Sequence, residues 1–136
     1  MKEEKEMNII IATHGKFGEE LKNSAEMILG NLENVYSISL LPQQSFEDFM
    51  NQADSLLRKM SGTTIALVDL FGGTPSNVLT VLTRKYGHHV IAGLSMPLFI
   101  EVYMSKDQQS DTEIMQQFIA SAQQAIVYTN QVVEED

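Results

Sequence analysis

Three features of the sequence could do chemistry together. His14 closes the β-branched run Asn8-Ile9-Ile10-Ile11-Ala12-Thr13 and is followed by Gly15-Lys16. Asp69 lies at the end of a second such run, which begins at Thr63, and leads into Leu70-Phe71-Gly72-Gly73-Thr74-Pro75. A carboxylate that accepts a hydrogen bond from one ring nitrogen of a histidine fixes the tautomer. The other nitrogen then keeps an outward lone pair and can act as a nucleophile. Two glycines just ahead of a helix let backbone N–H groups converge on an anion, and the helix dipole adds about 0.3–1 kcal/mol where the site is exposed. Gly15 and Lys16, at the start of the first helix, could do the same from the other side. Nucleophile (His14), orienting acid (Asp69) and phosphate cradle (Gly15, Gly72, Gly73, Thr74) together suit phosphoryl transfer. Each piece alone also has a plain structural reading. A strand-end histidine can simply be packed, Asp69 can cap its loop, Gly-Gly can be a tight turn, and Thr74-Pro75 is ordinary capping chemistry.

The elements must bring these pieces to one place. Residues 8–13 read as a buried strand. Phe17, Leu21, Ala25 and Ile28 follow at helical spacing, with Gly30 as the stop. Val35 to Leu40 alternates as a strand. Ser45 with Asp48 looks like a capping box ahead of Phe46, Phe49, Met50, Ala53, Leu56, Leu57 and Met60 at helical spacing. Thr63 to Leu70 is a third strand. Thr74 as N-cap and Pro75 at the first position open a helix that runs to about Tyr86, ended by Gly87. Val90 to Leu94 is a fourth strand, and Pro97 opens a short helix to about Ser105. Lys106 to Asp111 reads as a polar loop, with Asp111 capping a last helix to about Gln124. The tail, Ala125 to Val133, either continues that helix or forms a strand; Ile126, Val127, Tyr128, Thr129 and Val132 favour a strand.

Strands alternating with helices predict an α/β fold: a small doubly wound, mostly parallel sheet of order 2-1-3-4 with helices on both faces. Ligands of such sheets bind beyond the carboxyl ends of the strands, at the switch point. With strands 1 and 3 adjacent, His14 and Asp69 face each other there. Residues 7–133 read as a single domain, and Met1 to Glu6 as a charged, solvated tail without the apolar segment of a signal peptide.

Composition narrows the function. The 136 residues are 43% apolar with no cysteine, and the formal net charge is −9. Nucleic acid is excluded as an expected partner, because phosphate backbones need clustered Lys and Arg. Acidity suits a basic protein partner and equally keeps a protein soluble. The absence of cysteine removes disulfides and thiolate metal sites and fits a reducing compartment. No apolar stretch is long enough to predict a membrane span. There is no Walker-type loop, no dinucleotide-binding glycine motif and no G-x-S-x-G elbow. His88-His89 would point apart on a strand, so no metal is expected there, and Met50 and Met60 look like core filler.

Read together, these segments resemble the mannose-type IIA proteins of bacterial sugar phosphotransferase systems (PTS). Residues 9–15 with Phe17-Gly18 and Leu21 resemble the family's active-site segment, and residues 25–30 continue the match. Residues 69–77 resemble its second signature, and Val90-Ile91-Ala92-Gly93-Leu94-Ser95-Met96-Pro97 its third; together they span about residues 7 to 125 in the family's order. The resemblance implies that His14 accepts a phosphoryl group on Nε2, that Asp69 holds Nδ1, and that Gly72, Gly73 and Thr74 contact the phosphate. It implies the small carrier HPr as donor and the IIB component as acceptor, with the membrane components IIC and IID involved only indirectly. It implies a cytoplasmic homodimer in which a C-terminal strand near Ile126 to Val133 completes the partner's sheet, with no cofactor and no metal. Since the sequence ends at Asp136, IIB is expected on a separate chain or beyond a truncation. Two rivals stay open at this point: the phosphoryl-donor subunit of a dihydroxyacetone kinase, and a receiver-type signalling domain phosphorylated on Asp69. A receiver, however, needs an acidic pair after strand 1, where this chain has Thr13-His14.

Overall fold

Strand β1 (Met7–His14) is buried along almost its whole length, with only His14 at its end exposed. Ile9, Ile10 and Ile11 are each at most 1% exposed, and full burial of such a side chain contributes about 1.5–3 kcal/mol. β1 leads through helix α1 (Phe17–Leu29) to β2 (Val35–Leu40), then through α2 (Phe46–Arg58) to β3 (Thr63–Val68). The consecutive helices α3 (Thr74–Val81) and α4 (Thr83–Tyr86) precede β4 (His89–Ala92), and α5 (Met96–Met104), α6 (Thr112–Gln124) and α7 (Thr129–Glu135) complete the order. The computed structural model describes residues 7–105 and 111–135. The charged tail 1–6 and residues 106–110 of the expected polar loop lie outside the described residues.

The sheet has the order β2-β1-β3-β4, with every pairing parallel. Side-chain alternation divides the core in two. Ile9, Ile11, Ile65 and Leu67 pack with Leu21 and Ala25 of α1, with Leu98, Phe99 and Val102 of α5, and with Met115 and Phe118 of α6. Ile10, Ala12, Ile38, Ala66 and Val68 pack with Phe49, Ala53 and Leu57 of α2 and with Val78 and Leu79 of α3. Both faces are therefore covered, which is why β1 and β3 read as continuous apolar runs rather than alternating ones.

Several local expectations shift. Ser45 and Asp48 form the reciprocal capping box, each side chain accepting from the other's backbone N–H at 3.0 Å. Helix α1, however, buries Gly18, Leu21 and Ala25, whereas Phe17 is 50% and Ile28 61% exposed. The cause is Gly18: a Cβ there would lie 2.6 Å from Ile11 Cγ2, so the helix sits against the sheet at its glycine and Phe17 turns outward. Phe46 is likewise half exposed, leaving Phe49, Ala53 and Leu57 as the buried stripe of α2. The expected single helix from Thr74 to Tyr86 is interrupted at Leu82, and its N-cap is Gly73, not Thr74. The strand favoured for the tail is not formed. Thr129–Glu135 is helical, and Ile126, Tyr128 and Val133 are exposed. β-branched residues favour a strand when a pleated surface and a ladder receive them. Within one chain this segment has neither, and a helix satisfies its backbone locally.

His88 is buried, not ligating. Its Nε2–H donates to the Leu79 carbonyl at 2.8 Å, and Nδ1 is buried without a partner among the described residues. Burial pushes its pKa below the ordinary imidazole value, and the neighbouring His89 adds to this, against the opposing pull of the Leu79 carbonyl. The unfolded chain therefore takes up a proton at this site before the folded one does, so stability rises with pH across the interval. The stabilising contribution is complete above about pH 6.5, the unfolded value, and is lost as pH falls from there through the folded value. Urea midpoints measured from pH 7.5 to 5 should fall with acidity, and His88→Gln should flatten that slope. An equal slope in the variant would remove His88 as its source.

Candidate active site at the carboxyl edge of β1 and β3

The register pairs Ala12 with Val68, so the residues just beyond, at the ends of β1 and β3, meet at the carboxyl edge of the sheet. Asp69 Oδ2 accepts two hydrogen bonds from His14, one from its backbone N–H at 3.0 Å and one from Nδ1 at 2.9 Å. A carboxylate only accepts, so Nδ1 carries the hydrogen, and in the neutral ring Nε2 then keeps its lone pair. The His14 side chain is 48% exposed and that of Asp69 only 14%. Thus the imidazole stands open to solvent while its orienting group is shielded behind it. The other oxygen, Asp69 Oδ1, is buried and has no partner among the described residues. An unsatisfied buried acceptor costs on the order of 1–3 kcal/mol, and such costs concentrate at functional sites.

The turn after β1 is tied on both sides of His14. Gly15 N–H donates to the Leu40 carbonyl at 2.8 Å, which anchors the turn to β2. Thr13 is buried, and its Oγ1 accepts from Gly18 N–H at 2.8 Å, capping α1 where Lys16 makes no side-chain cap. Thr13 was not among the expected site residues. Its signal lay in alternation: Ile9, Ile11 and Thr13 share a buried face, and a buried hydroxyl there needs a partner. Gly15 adopts φ +55° and Gly72 φ +87°, a left-handed conformation that L side chains rarely take.

After β3, Gly73 N–H donates to the Leu70 carbonyl at 3.1 Å, and Asn77 Nδ2–H donates to the Gly72 carbonyl at 3.2 Å. The amides of Gly15 and Gly73 are therefore engaged within the fold. In the first turn of α3, the N–H groups of Thr74 and Ser76 have no intrahelical acceptor, and Pro75 has no N–H. The N-terminus of α3 directly follows Gly73, which lies against the His14 ring. Among the described residues, no cluster of three His, Asp or Glu side chains could hold a metal.

Fold and site together define a doubly wound parallel α/β protein with a carboxylate-oriented histidine at its switch point. The chain belongs to the EIIA-man family, described as the PTS system fructose IIA component, whose match covers residues 8–119. It is 36% identical over 102 residues to the mannose-specific EIIAB component of the Escherichia coli PTS, covering 73% of this chain and 32% of that protein. The chain thus spans about a third of that relative's length. The sorbose-specific EIIA component of Lacticaseibacillus casei is 27% identical over 111 residues, 80% of each chain. The crystal structure of EIIA from Streptococcus agalactiae superposes with a TM-score of 0.84 at 27% identity, covering 92% of this chain and 98% of that one. These relatives are named as components of phosphotransferase systems.

Proposed function

We propose that His14 carries a phosphoryl group from phospho-HPr to a IIB component during sugar uptake. The observation that carries this reading is the 2.9 Å contact of Nδ1 with Asp69, which leaves Nε2 as the nucleophile. The Nε2 lone pair bonds to phosphorus as the donor's P–N bond breaks, and the electron pair of that bond returns to the donor's ring. Nδ1 keeps its proton, so the phosphorylated ring carries positive charge, balanced by the Asp69 carboxylate. Thr74 and Ser76 at the N-terminus of α3 meet the phosphoryl oxygens, while Gly15, Gly72 and Gly73 shape the backbone around them. Delivery to IIB repeats the step in reverse, needing neither metal nor cofactor. Phe17, just after the His14 turn in sequence, and Leu70 and Phe71, just after Asp69, are 50%, 61% and 86% exposed, which suits a site that meets protein partners. HPr and IIB act in the cytoplasm, so the reading places the chain there. It extends to a homodimer in which a second copy covers the exposed tail residues Ile126, Tyr128 and Val133.

The test is a label chase. Protein phosphorylated by phosphoenolpyruvate, enzyme I and HPr should carry acid-labile, base-stable phosphate and lose it to purified IIB. Base-labile label would indicate aspartyl phosphate and overturn the reading. Transfer to dihydroxyacetone kinase, with none to IIB, would assign the chain to that kinase instead.

A further inference from the structure

We propose that Gly73 is a positioning residue: the absence of a side chain at this position seats the His14 ring against the loop and holds it at Asp69. A Cβ built on Gly73 would lie 2.8 Å from His14 Cε1 and 3.4 Å from Nε2. The first distance is far inside van der Waals contact, so ring and Cβ cannot both keep their places. Gly73 has φ −77° and ψ 170°, which any L residue adopts, so backbone freedom does not explain the glycine. Gly72 is the opposite case, with φ +87° and open space where its Cβ would be. The two adjacent glycines therefore serve different ends. Gly72 makes the turn, and Gly73 makes room for the imidazole.

The atoms that would yield are the far end of a half-exposed side chain, not backbone. An added methyl should therefore leave the fold standing and push the ring. Among the described residues the ring makes one hydrogen bond, Nδ1 on Asp69 Oδ2 at 2.9 Å, while the backbone N–H of His14 is bound separately to the same oxygen at 3.0 Å. Displacement therefore lengthens the ring contact and leaves the backbone contact alone. The tautomer is then no longer fixed, and Nε2 moves away from the N-terminus of α3. Gly73 N–H is already bound to the Leu70 carbonyl, and alanine would retain that bond. What substitution changes is the seat of the ring.

This inference rests on His14 as the phosphoryl acceptor, and its test separates the two. In Gly73→Ala, the ring ¹⁵N resonances of unphosphorylated His14 should move from the single Nδ1–H tautomer toward the averaged pattern of a free imidazole. The single-turnover rate from phospho-HPr at saturation should fall about 10- to 100-fold, the scale of a misplaced reacting group, with half-saturation unchanged. Thermal unfolding of Gly73→Ala, His14→Ala and the double variant supplies a cycle that needs no activity. The cost of Gly73→Ala should shrink once the ring is absent. An intact tautomer signature in Gly73→Ala, or an unfolding cost equal with and without the ring, would overturn the seat whether or not transfer slows. Failure of the unsubstituted protein to label at His14 would sink the acceptor reading and leave the tautomer and unfolding results standing.

Discussion

His14→Ala should abolish phosphorylation by phosphoenolpyruvate, enzyme I and HPr, taking the labelled protein to background. The expected loss is total, because the nucleophilic nitrogen itself is removed and no second histidine lies near. His88 is buried with Nε2 bound to Leu79, and His89 begins β4, whose amino end lies at the opposite edge of the sheet from His14. The substitution should not unfold the protein. The side chain is 48% exposed, so its loss opens no core cavity, and the backbone N–H at position 14 keeps its bond to Asp69. Circular dichroism and the unfolding midpoint should match those of the unsubstituted chain while the label disappears. Label that survives in His14→Ala would move the chemistry elsewhere, with Asp69 the first candidate, as in a receiver domain.

Much of this site was legible because it follows from strand order. The β-branched runs at residues 8–13 and 63–68 mark two buried parallel strands, and alternation with helices places them side by side. That order sets His14 and Asp69 at one edge, and the Ala12–Val68 register realises it. What was not legible depends on approach distances between distant parts of the chain. Gly18 counts as a gap in a helical pattern, yet a Cβ there would run into Ile11 and Thr13 of β1, and Phe17 turns outward. The glycine pair at 72–73 reads as one turn signal, although only Gly72 needs its glycine for backbone conformation. The amides of Gly15 and Gly73 looked available to an anion, but carbonyls of Leu40 and Leu70 occupy them, and no local pattern announces such partners. The tail was illegible for a different reason. Its β-branched composition reports what the segment would do beside a strand, whereas within one chain it forms α7.

Asp69→Ala should slow phosphoryl transfer about 10- to 100-fold without abolishing it, because a hydrogen bond to a charged group is worth about 1.5–3 kcal/mol and each 1.4 kcal/mol is a factor of ten. The nucleophile remains, so labelling persists, and the effect should lie in the rate. Two functions are lost at once in this variant, since Oδ2 holds both the ring and the backbone N–H of His14. Asp69→Asn separates charge from geometry. With its amide oxygen in the place of Oδ2, it keeps both acceptor contacts but loses the negative charge that balances the phosphorylated ring. If orientation dominates, Asp69→Asn should transfer at close to the unsubstituted rate; if charge dominates, it should resemble Asp69→Ala. Single-turnover rates for the two variants, with folding checked by their unfolding midpoints, decide the matter. Rates unchanged in both would remove Asp69 from the mechanism.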